Sequence, residues 1–311
     1  MTNLNNRPIK VGTRGSNLAL TQTGHVIQAL SQANQNNDFE IVTIKTTGDQ
    51  DQWKQQTPIN VGVFVRELEA ALLDNRIDIA VHSLKDMPSS LVPELVIAAV
   101  PEREDPRDAL ISRKGTLLKD LPGGSRIATG SIRRQALVKN MRPDLTIEPL
   151  RGNVETRLEK LRQNDGPDGV ILATAGLNRL GLQDQISQHL PCMEFVAAVG
   201  QGALAVETRA DDNFTTALAA KINHLETRQA ITAERAFLQA IGGGCSSSVS
   251  AHAKITAQQI EIPAFASTPD ASTFLRERIT GMASDAANIG FNLGQSFIAQ
   301  GVRQLLSEDP V

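Results

Sequence analysis

An ammonium and a carboxylate stand side by side at the end of what reads as a buried strand, in the stretch Asp78-Ile-Ala-Val-His-Ser-Leu-Lys-Asp-Met-Pro88. Ile77, Ile79 and Val81 alternate with Asp78, Ala80 and His82 in the period of two that a strand imposes, and Met87-Pro88 stops the ladder because proline has no N–H to give. Lys85 and Asp86 are thereby presented at a strand's carboxyl end, where open α/β sheets bind ligands. Taken alone, such a pair is more often a solvated turn. If it does chemistry, Asp86 is the group that would do it: a fixed carboxylate stabilises a developing cation and can accept or return a proton.

A thiol and a set of guanidinium groups are the other candidates. Cys245 follows Gly242-Gly-Gly244, where missing side chains leave the sulfur accessible to something bulky. A thiol's reactivity depends on its surroundings, so an idle cysteine in a flexible loop is an equal reading. Cys192, after Leu190-Pro191, reads as inert filler. Arg14, Arg133, Arg134, Arg151, Arg157 and Arg179 fall at or near strand-to-helix turns, where helix N-termini and guanidinium forks both favour carboxylates. Arg133 and Arg134 follow a Ser131 cap, and two adjacent cations repel unless an anion lies between or beside them. Arg142 and Arg162 read as solvated helix-end charges.

The elements that must hold these groups form a repeating pattern. Strand Ile9–Val11, helix Asn17–Leu30, strand Glu40–Lys45, helix Phe64–Leu73 and strand Ile77–Leu84 give β-α-β-α-β, the makings of a parallel sheet. After the proline-bounded stretch 101–106 the pattern returns with strand Arg126–Ala128, a helix from Ile132, strand Leu145–Glu148, helix Val154–Leu161 and strand Gly169–Ala173. The first turns match, since Gly12-Thr-Arg-Gly-Ser16 and Ala128-Thr-Gly-Ser131 each pass through Thr and Gly to a Ser that can cap the next helix. The predicted fold is α/β: domain 1 from residues 1–101 and 198–223, domain 2 from 102–197, with 196–202 crossing back, and a hinged cleft between them. A small α+β domain follows over 224–311, with a helix Leu225–Ala240, the Cys245 loop, β-prone runs and a helix Asp285–Leu306.

Composition narrows the function. A chain of 311 residues with 41% hydrophobic content can bury several cores. Its net charge of −3 gives no general attraction to nucleic acid or anionic membrane, and 3% aromatic residues leave little for base stacking. Two cysteines are too few for a disulfide framework, five scattered histidines lack ligand spacing for a metal, and no stretch reaches the length of a membrane span. The N-terminus has no apolar core behind a basic start, so a cytoplasmic protein is expected.

Motifs in order along nearly the whole chain resemble the porphobilinogen deaminase (hydroxymethylbilane synthase) family. Besides Val81-His-Ser-Leu-Lys-Asp-Met-Pro88 they are Gly12-Thr-Arg-Gly-Ser16 with Leu18-Ala-Leu20, Phe64-Val-Arg-Glu-Leu-Glu69, Glu102-Arg-Glu-Asp-Pro-Arg-Asp108 and Ser131-Ile-Arg-Arg-Gln135. Leu150-Arg-Gly-Asn-Val154 with Arg157, Val199-Gly-Gln-Gly-Ala203 and Gly242-Gly-Gly-Cys245 complete them. The resemblance implies two binding-protein-like domains around the cleft, and a transferase that joins four porphobilinogen molecules into a linear tetrapyrrole with loss of ammonia at each condensation. It implies a dipyrromethane cofactor held by a thioether at Cys245, because a thiol adds to the azafulvene formed when porphobilinogen loses ammonia.

By the same resemblance Asp86 is catalytic, Lys85, Ser83, Thr129, Ser131, Arg133 and Arg134 bind the cofactor, and Arg14, Ser16, Gln22, Arg151, Arg157 and Arg179 bind substrate. Each ring carries an acetate and a propionate, so the growing chain is a polyanion and needs fixed cations, for which arginine outperforms lysine. A monomer without nucleic-acid or membrane partners is implied. Three departures stand out: Ile59-Asn-Val-Gly-Val63 leads into Phe64 where the family has a Gly-Gly-Lys-Gly stretch, Ser246-Ser-Ser248 follows Cys245, and Gly130 replaces a more usual Ser. The first leaves Lys54 or Arg66 to supply lid charge, with a weakly active paralogue as the alternative, alongside a non-catalytic anion-binding protein of the same fold.

Overall fold

The computed structural model describes residues 7–45, 65–242, 248–268 and 270–307. It separates into two compact units, residues 1–103 with 203–228, and residues 104–202 with 229–311. The first contains β1 (Ile9–Thr13), α1 (Asn17–Ala33), β2 (Phe39–Thr43), α2 (Arg66–Leu73), β3 (Ile79–Ser83), β4 (Leu95–Ala99), and later β10 (Leu204–Arg209) and α6 (Asn213–Ala220). Its sheet runs β2-β1-β3-β10-β4. Val26 and Leu30 of α1 pack on Ile9, Val11, Ile79 and Val206 on one face, while Leu68, Ala71 and Leu72 of α2 pack on Ile77 and Ala80 on the other. Gly12 permits the second contact, since a Cβ there would lie 2.3 Å from the Ile77 side chain.

The second unit repeats this plan. It contains β5 (Asp108–Ser112), β6 (Arg126–Ala128), α3 (Ile132–Met141), β7 (Thr146–Glu148), α4 (Val154–Arg162), β8 (Gly169–Ala173), α5 (Thr174–Arg179) and β9 (Gln188–Leu190). The order β7-β6-β8-β5-β9 matches the first sheet strand for strand, with β5 in the place of β10. Neither sheet is purely parallel, which corrects the expectation. β10 runs antiparallel to β3, and β5 antiparallel to β8. A strand entering from the connection between the units must run opposite to its neighbours, and the β-α-β pattern carries no trace of it.

The C-terminal part has its own sheet of β11 (Val249–Ala251), β12 (Lys254–Thr256), β13 (Gln259–Ser267) and β14 (Phe274–Met282). Helix α7 (Leu225–Ile241) and α8 (Ala286–Ala299) cover it, with Phe237 and Phe297 edge to face at 5.2 Å. From Gln229 on, this part belongs to one compact unit with residues 104–202. Phe265 of β13 is buried in the same apolar cluster as Leu137, Phe195 and Val196, and the Arg276 guanidinium lies 5.1 Å over its ring. The long final helix expected over Asp285–Leu306 is broken into α8 and α9 (Val302–Ser307) at Gly301, whose φ of +86° is the left-handed conformation that ends helices.

Candidate functional site

In the first unit the chemistry sits at the carboxyl end of β3. The strand stops at Ser83, and Leu84–Asp86 form one 3-10 turn with Leu84 buried and Lys85 and Asp86 half-buried. Leu84 anchors the turn from both sides, its side chain in the core and its N–H on the Ala203 carbonyl at 3.0 Å. Ser83 and Gln22 of α1 exchange hydrogen bonds at 3.0 and 3.2 Å, so two candidate residues meet each other. Ser16 caps α1 by accepting from the Ala19 N–H at 3.3 Å, and Arg14 lies half-buried in the turn before it.

Next to this strand end lies a buried pair of ionisable side chains that sequence reading passed over. His82 Nε2 and Glu207 Oε2 of β10 are 2.9 Å apart, both out of solvent. Glu69 of α2 is buried beside them; its carboxyl is pushed up by burial and by the Glu207 charge, against the pull of His82 and Arg66.

The second unit gathers arginines. Thr129 is fully buried and its hydroxyl accepts from the Ser131 N–H, while the Ser131 hydroxyl caps α3 by accepting from the Arg134 N–H at 3.4 Å. Arg133 and Arg134, on the first turn of α3, are only 4% and 5% exposed. The anion that two adjacent cations require is internal: Asp108, at the head of β5 and 0% exposed, lies 2.8 Å from Arg133 Nη1 and 2.7 Å from Arg134 Nη2. Burial would raise the Asp108 pKa, but the two guanidinium groups and the Gln201 amide outweigh it and hold the carboxyl at about 2. The expectation of an anion between or beside the pair is met from within the chain. Arg133 also donates to the Val196 carbonyl and Arg134 to the Ile171 carbonyl.

One carboxylate does not neutralise this neighbourhood. Arg157 Nε donates to the Gly152 carbonyl at 2.8 Å, and among the described residues no carboxylate pairs with it. Burial, with the Arg134 charge adding, lowers its pKa to about 10. Arg179 donates to the Gly202 carbonyl at 2.8 Å and is likewise lowered by burial, with Glu104 opposing. Arg151 is half-buried in the turn before α4. Buried and half-buried guanidinium groups in excess over carboxylates make a place where an anionic ligand lowers the energy.

Other expectations divide. Arg142 is not a solvated charge: it pairs with Asp144 at 2.6 Å and donates to the carbonyls of Leu118 and Leu121, pinning the loop before β6. Arg162 is exposed and donates to Gln185 Oε1 at 2.9 Å. Cys192 is half-buried and not disulfide-bonded. Gly130 has a steric reason, since a Cβ there would stand 2.5 Å from the Leu150 carbonyl. Cys245, Lys54 and the 59–63 lid stretch lie outside the described residues.

Comparison with known proteins relates the chain to one family. Residues 9–217 match a family model described as porphobilinogen deaminase, dipyromethane cofactor binding domain, and residues 228–299 match the porphobilinogen deaminase C-terminal domain. The chain is similar to the porphobilinogen deaminase of Syntrophomonas wolfei, 44% identical over 97% of this chain and 99% of that one. Those of Oceanobacillus iheyensis and Thermus thermophilus are each 42% identical, over 96% and 97% of this chain and 97% and 99% of theirs. A solved YaeC-family lipoprotein from Enterococcus faecalis aligns with 73% of this chain and 96% of its own at 12% identity and a TM-score of 0.42.

Proposed function

The chain belongs to the porphobilinogen deaminase family, and from that premise we propose that it condenses four porphobilinogen molecules stepwise onto a covalently held dipyrromethane, with loss of ammonia at each step. Hydrolysis then releases the linear tetrapyrrole hydroxymethylbilane. The observation that carries the reading is the excess of buried and half-buried guanidinium groups in the second unit, with Arg157 answered by no described carboxylate. A cofactor bearing several carboxylates fits that excess.

When bound, dipyrromethane supplies the nucleophilic pyrrole carbon to which the next unit is joined. Arg133, Arg134, Thr129 and Ser131 hold its carboxylates, Lys85 and Ser83 are further cofactor-binding residues, and Cys245 is the attachment point. Arg14, Ser16, Gln22, Arg151, Arg157 and Arg179 receive the carboxylates of incoming substrate. Asp86 stabilises the cation left when porphobilinogen loses ammonia, by placing its carboxylate near the pyrrole nitrogen, and takes up or returns the proton there. The turn after β3 suits that task, because Leu84 fixes its backbone while the carboxylate stays half-exposed to a ligand.

The same reading takes the enzyme as a cytoplasmic monomer, where a reducing compartment keeps Cys245 a thiol until it is alkylated; sedimentation at micromolar concentration should show single chains. Intact mass tests the whole. Protein purified from cells with normal tetrapyrrole synthesis should exceed its sequence mass by two linked pyrrole units, and Cys245→Ser, but not Cys192→Ser, should remove the excess. An unmodified wild-type mass would overturn the assignment.

A further inference from the structure

We propose that Glu234, on α7, is a positioning residue for the arginines of the second unit and acts through the turn at residues 198–202. Its carboxylate is 0% exposed. Oε2 accepts from the Gly200 N–H and Oε1 from the Ala253 N–H, each at 2.7 Å, with His252 Nδ1 3.4 Å from Oε1. A carboxylate serves two N–H donors at once, whereas an amide has one acceptor and would turn its own N–H against the other. The requirement is therefore for the charged group and not merely for its shape.

The turn so anchored is one that glycine permits, and it reaches two arginines. Gly200 and Gly202 have φ of +73° and +87°, and a Cβ at 202 would fall 2.4 Å from the Glu104 carbonyl. Between them Gln201, 1% exposed, donates through Nε2 to Asp108 Oδ1 at 3.0 Å and to the Pro106 carbonyl at 2.7 Å. Its Oε1 accepts from Arg134 Nη2 at 3.4 Å, and the next carbonyl, of Gly202, accepts from Arg179. A shift of Gly200 would thus move the Asp108–Arg134 pair and Arg179 together, although Glu234 touches neither. The inference rests on the reading that these arginines hold the oligopyrrole.

The experiment uses the holoenzyme. Glu234→Gln should lower turnover by about tenfold or more and reduce dipyrromethane occupancy in native mass spectra, the scale of misplacing binding groups through their supports. Gln201→Leu should act in the same direction, and it carries the test alone if Glu234→Gln does not fold. The double variant should be no worse than the worse single one, because both break one series of contacts. Phe237→Leu, on the same helix, sets the effect of lost stability alone and should keep near-normal turnover at an equal fall in Tm. Wild-type turnover and occupancy in Glu234→Gln, multiplying effects in the double variant, or an equal activity loss in Phe237→Leu would each overturn the proposal. Wild-type protein without dipyrromethane would instead overturn the underlying function.

Discussion

The two sheets share one topology, and the strand that completes each carries a buried carboxylate, yet the two carboxylates are answered differently. On β10 it is Glu207, facing His82, whose charge depends on protonation; on β5 it is Asp108, facing two guanidinium groups that stay charged at any working pH. Register adds to the contrast. Glu207 pairs with Ala80, inside β3, whereas Asp108 pairs with Ala173, the last residue of β8. One carboxylate supports a strand from within, and the other stands at the strand ends and organises cations there. Two sheets of one topology thus differ in where the inserted strand places its buried carboxylate and in which side chain meets it.

Breaking the Asp108 cluster should have the largest effect. Asp108→Ala leaves two buried guanidinium groups without their anion and should cost about 3–5 kcal/mol of stability in urea unfolding. A loss under about 1 kcal/mol would mean that the arginines do not depend on it. Next is Asp86→Asn, which keeps the shape of the first unit's strand end and removes the charge. Turnover should fall at least about a hundredfold with fold and cofactor mass unchanged, the scale of deleting a preorganised charge stabiliser; near-normal turnover would remove Asp86 from the mechanism.

Glu207→Gln should be milder, costing about 1–2 kcal/mol because the amide oxygen can still meet His82. It should also let the Glu69 carboxyl titrate lower, since the Glu207 charge is part of what raises it; an unmoved Glu69 resonance in carbon-detected NMR would separate the two. The smallest and sharpest contrast is in pH dependence. Asp108, held at about 2, contributes stability that is complete above the ordinary carboxylate range of about 4 and is lost as pH falls towards its folded value. Glu69, raised, has the opposite sign: its contribution is complete below the ordinary glutamate value and is lost as pH rises through the folded one. Urea midpoints measured across acid pH should lose the first slope in Asp108→Asn and the second in Glu69→Gln.

Local pattern alone identified a good deal of this protein. Alternation from Ile77 to Val81 located the strand, Met87-Pro88 its end, and the two serines the helix starts, because strand period, proline and capping are properties of a few adjacent residues. The motif order identified the family, and the adjacency of Arg133 and Arg134 announced that an anion was needed. Which anion could not be read, since Asp108 lies 25 residues before Arg133 in a strand whose antiparallel insertion no period reveals. His82 with Glu207 and Glu234 with Gly200 are hidden for the same reason, as burial and pairing across distant segments exist only once the chain has closed. The sequence by itself determined which residue types are available and which local elements present them. The tertiary structure decided which charges are answered from within and which are left for a ligand, because the cost of a charge depends on the dielectric and the partners around it and not on its neighbours in the chain.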